Sequence, residues 1–264
     1  MNYIDIHCHL TGGEYEPLGG VDTVIRTARE NGLKIIVCSG YDLDSSVQAK
    51  DLAERYPEVY FTAGFHPSEL GKYRDGDFER LAKLCEHEKC IAVGEIGLDY
   101  HFDDNPDPST QREAFVTQMR IASEKGLPFV VHSRDAAEET YEILSENRAL
   151  IGKGALLHCY SYSPEMAERF LGLGMYFSFG GPITFKNSKK ACASVQRIPA
   201  TRILSETDCP YLTPVPHRGE FPNHPAHIPY IVSALATLKE TDENTLCAQI
   251  EENAKTLFPV LKRS

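Results

Sequence analysis

No apolar stretch in this chain approaches the roughly 20 residues that a membrane-spanning helix needs. Runs such as Ile35-Ile36-Val37-Cys38 and Phe129-Val130-Val131 stop far short, so an integral helical membrane protein is excluded. A basic leader with an apolar core is also missing: the N-terminus reads MNYIDIHCHL, with Asp5 and His7 where a signal peptide would be greasy. A cytoplasmic protein is expected. Positive charge is scarce, with 27 Lys and Arg against 38 Asp and Glu and a formal net charge of −11. The overall field therefore repels polyanions and argues against a broad duplex-binding surface. Bound divalent cations would invert the sign locally, which leaves a phosphate-bearing substrate open. None of the eight cysteines (Cys8, Cys38, Cys85, Cys90, Cys159, Cys192, Cys209, Cys247) forms a C-x-x-C pair, so a structural zinc knuckle has no support. Set mostly inside apolar segments of a long chain, they read as buried thiols rather than disulfides.

What is present is an ordinary globular balance: 264 residues, 42% hydrophobic and 25% charged, with 19 Gly and 16 Pro scattered throughout. Such a length admits two small domains or one large barrel. Apolar, β-rich runs recur at 3–9, 34–39, 59–64, 91–95, 128–132, 154–158, 176–179 and 203–206, each followed by a stretch with helical periodicity. Those helical stretches are 21–31, 45–56, 77–86, 110–125, 136–147, 164–173, 188–197, 228–239 and 243–257. Ser163-Pro164 reads as a capped helix start, and Asn31-Gly32 and Lys125-Gly126 as helix ends. Eight alternating units without a linker predict an α/β fold of the (β/α)8 TIM type, one domain spanning 1–264. The long segments 98–109 and 213–228, the second rich in proline, then read as functional βα loops.

Metal-capable residues fall where such a barrel would use them. His7 and His9 end the first predicted strand, Glu95 the fourth, His132 the fifth and His158 the sixth, while Asp208 follows the eighth. Carboxyl ends of barrel strands converge at one mouth. His7 and His9, two apart, share a strand face with Asp5, whereas Ile4, Ile6 and Cys8 face the helices. Clustering such groups is costly unless a cation compensates them. Four imidazoles and two carboxylates exceed the needs of one ion and suit two, with Glu95 as the bridge and Asp208 orienting a water and taking its proton. Imidazole-rich ligation favours Zn, Mn, Co or Fe over Mg, and the metal stays open.

Other residues frame this centre. His66, ending the third predicted strand in GFHP, is expected to hydrogen-bond a substrate phosphate. Arg134 either clamps phosphate or pairs with Asp135. Lys186, Lys189 and Lys190 after the seventh strand either hold a polynucleotide tail or form a solvated charge run. His217, His224 and His227 lie in the proline-rich loop without a regular element to set a ligand face, and read as structural. Tyr100 and Tyr160 either stack bases or belong to the core.

Eight stretches carry a likeness to a known family: IDIHCHL (4–10), AGFHP (63–67), VGEIGLDY (93–100), PFVVHSRDA (128–136), LLHCYS (156–161), ITFKNSKK (183–190), LSETDCPYLTPVPHRG (204–219) and ENAKTLF (252–258). Through them the chain resembles the TatD metal-dependent nucleases of the amidohydrolase-like superfamily. The resemblance implies one or two divalent ions (Mg, Mn, Zn or Co) on His7, His9, Glu95, His132, His158 and Asp208. It implies a phosphodiesterase acting on DNA, commonly 3′→5′ on single strands or 3′ ends, with no membrane and no obligate protein partner. Some relatives are instead deacylases of D-aminoacyl-tRNA, which makes ester or amide hydrolysis the alternative. The chain departs from the family pattern at Thr11, at His101 and after Arg218-Gly219, where Glu220-Phe221-Pro222-Asn223 replaces a typically basic segment.

Overall fold

The computed structural model describes residues 1–263. Eight strands, β1 (Tyr3–Cys8), β2 (Leu33–Ser39), β3 (Val59–Ala63), β4 (Cys90–Asp99), β5 (Phe129–Arg134), β6 (Ala155–Leu157), β7 (Tyr176–Phe179) and β8 (Ile203–Ser205), follow one another around a single sheet in chain order. Each pairs with the next in parallel. Between and after them run α1 (Val21–Glu30), α2 (Leu43–Arg55), α3 (Asp77–Leu84), α4 (Pro108–Lys125), α5 (Ala137–Glu146), α6 (Pro164–Gly172), α7 (Lys189–Arg197), α8 (Ile228–Leu238) and α9 (Glu243–Leu257). This is the (β/α)8 barrel that the alternation predicts. Among the described residues no helix is long and apolar enough to cross a membrane.

Local chemistry accounts for the element ends. Ser163 accepts from the Met166 amide at the start of α6 with Pro164 in the first turn, and Gly126 closes α4 in the left-handed region. Asp42 and Ser45 form a reciprocal capping box on α2. Parallel barrel strands are covered on both faces, which explains why all ten residues of β4 are buried. All eight cysteines are unpaired; six are buried, and Cys159 and Cys192 are partly exposed.

Several predicted strand ends shift: β1 stops at Cys8 and β6 at Leu157, so His9 and His158 each lie one residue past their strand. β4 runs four residues beyond Glu95 and β5 two beyond His132, so neither residue ends its strand. The extra pairing is Ile96–Asp99 against Val131–Arg134, reached after a register shift between Val93 and Ile96. Three steps on β4 there match two on β5, an irregularity in the ladder at Glu95. Gly97 permits the close approach beyond it, since a Cβ there would lie 1.9 Å from the His132 carbonyl oxygen. β3 ends at Ala63, and His66 lies past it as the cap of a short 3-10 helix, Pro67–Lys72.

The seam between β1 and the chain after β8 is held by specific bonds. Ser205 Oγ donates to the Ile4 carbonyl at 2.8 Å, the Asp208 amide to the His7 carbonyl at 3.0 Å, and the His9 amide to the Cys209 carbonyl at 2.7 Å. Fully buried Asp5 accepts from the Thr207 amide at 2.9 Å and from its hydroxyl at 2.5 Å. Asp5 also accepts from the His7 amide at 3.3 Å, so Asp5→Ala removes the acceptor of three buried donors beside the centre and is expected to cost about 2–3 kcal/mol. A urea midpoint unchanged from the wild type would show that this clasp contributes nothing.

Candidate metal centre

The seam and β4 bring four donors together. Glu95 Oε2 lies 3.3 Å from His7 Nε2 and 3.6 Å from His9 Nε2, and Asp208 Oδ1 lies 3.8 Å and 3.6 Å from the same nitrogens. Donors bound tetrahedrally at about 2.1 Å from an ion stand about 3.4 Å apart. These separations fit that spacing. His7 Nε2 is fully buried without a hydrogen-bond partner, which a protein rarely tolerates unless another ligand satisfies the atom.

The second oxygen of Glu95 faces a second set. Oε1 lies 2.8 Å from His132 Nδ1 and 2.6 Å from His158 Nε2, and those nitrogens are 3.2 Å apart. These three donors stand at hydrogen-bonding distance, tighter than the first set. Glu95 thus directs Oε2 toward His7 and His9 and Oε1 toward His132 and His158.

His7, His9 and His132 are held from behind by hydrogen bonds, the usual way a ligand nitrogen is aimed, whereas buried His158 Nδ1 has no hydrogen-bond partner. His9 Nδ1 donates to the Ser39 carbonyl at 3.0 Å, and His7 Nδ1 lies 3.1 Å from Ser39 Oγ. His132 Nε2 lies 3.2 Å from Asp99 Oδ2, and His158 Nδ1 lies 3.7 Å from Glu206 Oε1. Ser178 Oγ donates to the other oxygen of Glu206 at 2.5 Å. Asp99, Glu206 and Ser39 escape the sequence reading. One of them left a signal in strand parity: Asp99 lies four residues past Glu95 on the same strand.

Electrostatics follow from this packing. Burial works to raise the Glu95 pKa, but His158, His66 and His7 outweigh it and hold the carboxyl well below the ordinary range. Burial alone would lower His9, yet Asp208 and Glu95 outweigh that and raise it to about 9. Burial, reinforced by His132, pushes His66 down to about 3. His66 Nδ1 accepts from the Ser68 amide at 3.2 Å, which leaves the hydrogen of the neutral ring on Nε2, 3.7 Å from Glu95 Oε1.

Above these donors opens a cavity of about 760 Å³, lined by His9, His66, Glu95, Asp99, His132, His158 and Asp208, with Lys72, Phe102, Arg134 and Tyr211 among the other walls. Arg134 stays clear of Asp135, which bonds His101 Nδ1 at 2.8 Å, and lies 5.0 Å over the Phe102 ring. Lys186, Lys189, Lys190 and Arg218 do not line this cavity. The three lysines are exposed, and the Arg218 guanidinium lies 4.0 Å over Phe185. His217, His224 and His227 stack ring on ring away from the centre, with His217 bonded to Glu220 and His227 to Asn223. Tyr100 bonds Glu139, and buried Tyr160 bonds the Ser163 carbonyl, so both serve packing.

A (β/α)8 barrel whose mouth gathers imidazoles around a shared carboxylate is the architecture of a metal-dependent hydrolase. Comparison with known proteins narrows the class. The model of the TatD related DNase family matches residues 4–259, and the chain belongs to that family. It is 38% identical over 256 residues to an uncharacterized metal-dependent hydrolase, YabD, of Bacillus subtilis, covering 97% of this chain and 98% of that one. It is 32% identical over 260 residues to the 3′-5′ ssDNA/RNA exonuclease TatD of Shigella flexneri, covering 97% and 98%. The crystal structure of the TatD homologue YjjV of Escherichia coli superposes with a TM-score of 0.90 at 28% identity, over 97% and 98% of the two chains.

Proposed function

We propose that this chain is a cytoplasmic phosphodiesterase that uses two divalent ions to remove nucleotides from the 3′ end of single-stranded nucleic acid, DNA foremost. The observation that supports it most directly is Glu95, with one oxygen toward His7 and His9 and the other toward His132 and His158. One ion would be held by His7, His9, Glu95 and Asp208, the other by Glu95, His132 and His158. A divalent cation in such a donor set supplies Lewis acidity toward a phosphoryl oxygen and acidifies water. Asp208 borders the cavity, and His9 keeps its carboxyl ionised against the opposing effect of burial. It orients the attacking water and takes its proton. His66 offers an Nε2–H to a phosphate oxygen, and Arg134 adds a fixed positive charge at the same wall.

The test follows end-labelled oligonucleotides. A ladder shortening one nucleotide at a time from the 3′ end is expected, with a single strand cut about tenfold or more faster than a blunt duplex. A net-acidic protein lacks the basic footprint that two strands demand, and a duplex with a 3′ overhang should be trimmed only to its junction. Equal digestion of the blunt duplex overturns the strand preference. Release of amino acid from an aminoacylated RNA, without cleavage of any oligonucleotide, overturns the phosphodiesterase reading in favour of a deacylase.

A further inference from the structure

Two aromatic rings stand uncovered at the wall of the cavity. Phe102, on the loop between β4 and α4, is 51% exposed, and Tyr211, on the segment after β8, is 56% exposed. They come from the segments that follow Asp99 and Asp208, so they flank the donor cluster from two strands. Neither is left over from poor packing, because each has a backing group. The Arg134 guanidinium lies 5.0 Å from the Phe102 ring, and Phe221, itself 63% exposed, lies 6.3 Å from Tyr211. Cationic help in the cavity is meagre. Its lining includes Arg134 and Lys72, and Lys72 Nζ is already held by Glu69 at 2.5 Å.

A strand entering such a mouth meets few free positive charges. Aromatic faces provide the sequence-tolerant alternative, since every base has a π-face to stack on them. We infer that Phe102 and Tyr211 form a base-stacking platform, holding the nucleobases beside the scissile phosphate of an unpaired strand while Arg134 and Phe221 fix the two rings. The inference rests on the phosphodiesterase reading above and deepens it. Bases in a duplex keep their faces covered by neighbours, so the platform selects single strands by stacking as well as by charge. It also fills the role for which Tyr100 and Tyr160 are unavailable, both being committed to packing.

The experiment compares an ordinary oligonucleotide with one of equal length whose three 3′-terminal residues lack bases. The abasic strand is expected to be cleaved with a KM raised on the order of tenfold, at similar kcat. Phe102→Ala and Tyr211→Ala should each raise KM for the ordinary strand by a similar factor and leave the abasic strand unaffected. Phe102→Leu, which keeps apolar bulk without a ring, should behave like Phe102→Ala, and Phe102→Trp should restore binding. The wild-type chain has no tryptophan, so the emission of Phe102→Trp or Tyr211→Trp reports stacking alone: quenching by the ordinary strand is expected, and none by the abasic one. Cleavage that ignores missing bases, with both alanine variants unchanged, overturns the platform and leaves the phosphodiesterase intact. Absence of cleavage of every nucleic acid overturns the phosphodiesterase, and the platform with it.

Discussion

Replacing Glu95 by alanine is expected to lower kcat/KM by about a thousandfold or more, a larger loss than alanine causes at any single histidine. Removing one preorganised electrostatic group from an active site commonly costs 10²–10³ in rate, and Glu95 serves two donor sets at once. Its Oε2 stands 3.3 Å from His7 Nε2 and its Oε1 2.6 Å from His158 Nε2. His9→Ala removes one of four donors from the first set and leaves the second whole. His158→Ala does the converse. Elemental analysis separates these cases: Glu95→Ala should lose most of its metal, while each histidine variant retains a substantial fraction. Glu95→Gln, nearly isosteric, controls for packing; it should stay folded by circular dichroism yet share most of the alanine defect, because an amide nitrogen faces one set in place of a carboxylate oxygen. Near-normal metal content together with near-normal rate in Glu95→Ala would show that the carboxylate bridges nothing.

The fold was legible in the sequence because its signals are local and repeat eight times. Strand and helix centres follow from periodicity, and several ends follow from Ser163-Pro164 and Gly126. The residues gathered at the mouth were legible because a barrel gathers carboxyl ends, so position along each strand stands in for position in space. The reading weakened where geometry depends on register. The irregularity at Glu95 arises in the pairing with β5, and nothing in VGEIGLDY alone announces it. Overlooking the longer β4 meant overlooking Asp99 behind His132. Arg134 could not be settled from sequence, since its freedom depends on His101 taking Asp135. The basic patch stays open for a physical reason: a lysine's number places it on a loop, but the direction of that loop decides whether it borders the cavity, and these three do not. Exposed aromatics gave no sequence signal, because burial separates Phe102 and Phe221 from the other phenylalanines and composition does not.

Excess chelator is expected to abolish activity, and Mn²⁺, Co²⁺ or Zn²⁺ should restore it at least as well as Mg²⁺. Four of the six proposed donors are imidazoles, His7, His9, His132 and His158, and imidazole suits those ions better than Mg²⁺, which prefers oxygen surroundings. The spacing of the first set, 3.3–3.8 Å between its nitrogens and oxygens, matches what a four-coordinate ion imposes. A pH dependence accompanies reloading. In the chelated protein the His9 pKa is raised to about 9, with Asp208 and Glu95 outweighing the opposing effect of burial. Below that pH a proton holds the nitrogen that an ion needs, and ion uptake must release it. Apparent metal affinity should therefore rise as pH increases toward about 9 and fall as the solution is acidified. Titrating Mn²⁺ into the chelated protein at several pH values, with proton release followed in weakly buffered solution, checks both the sign and the stoichiometry. Affinity that is flat between pH 6 and pH 9, with no proton released, would remove His9 from the donor set, and full activity in excess chelator would remove the metal from the reaction.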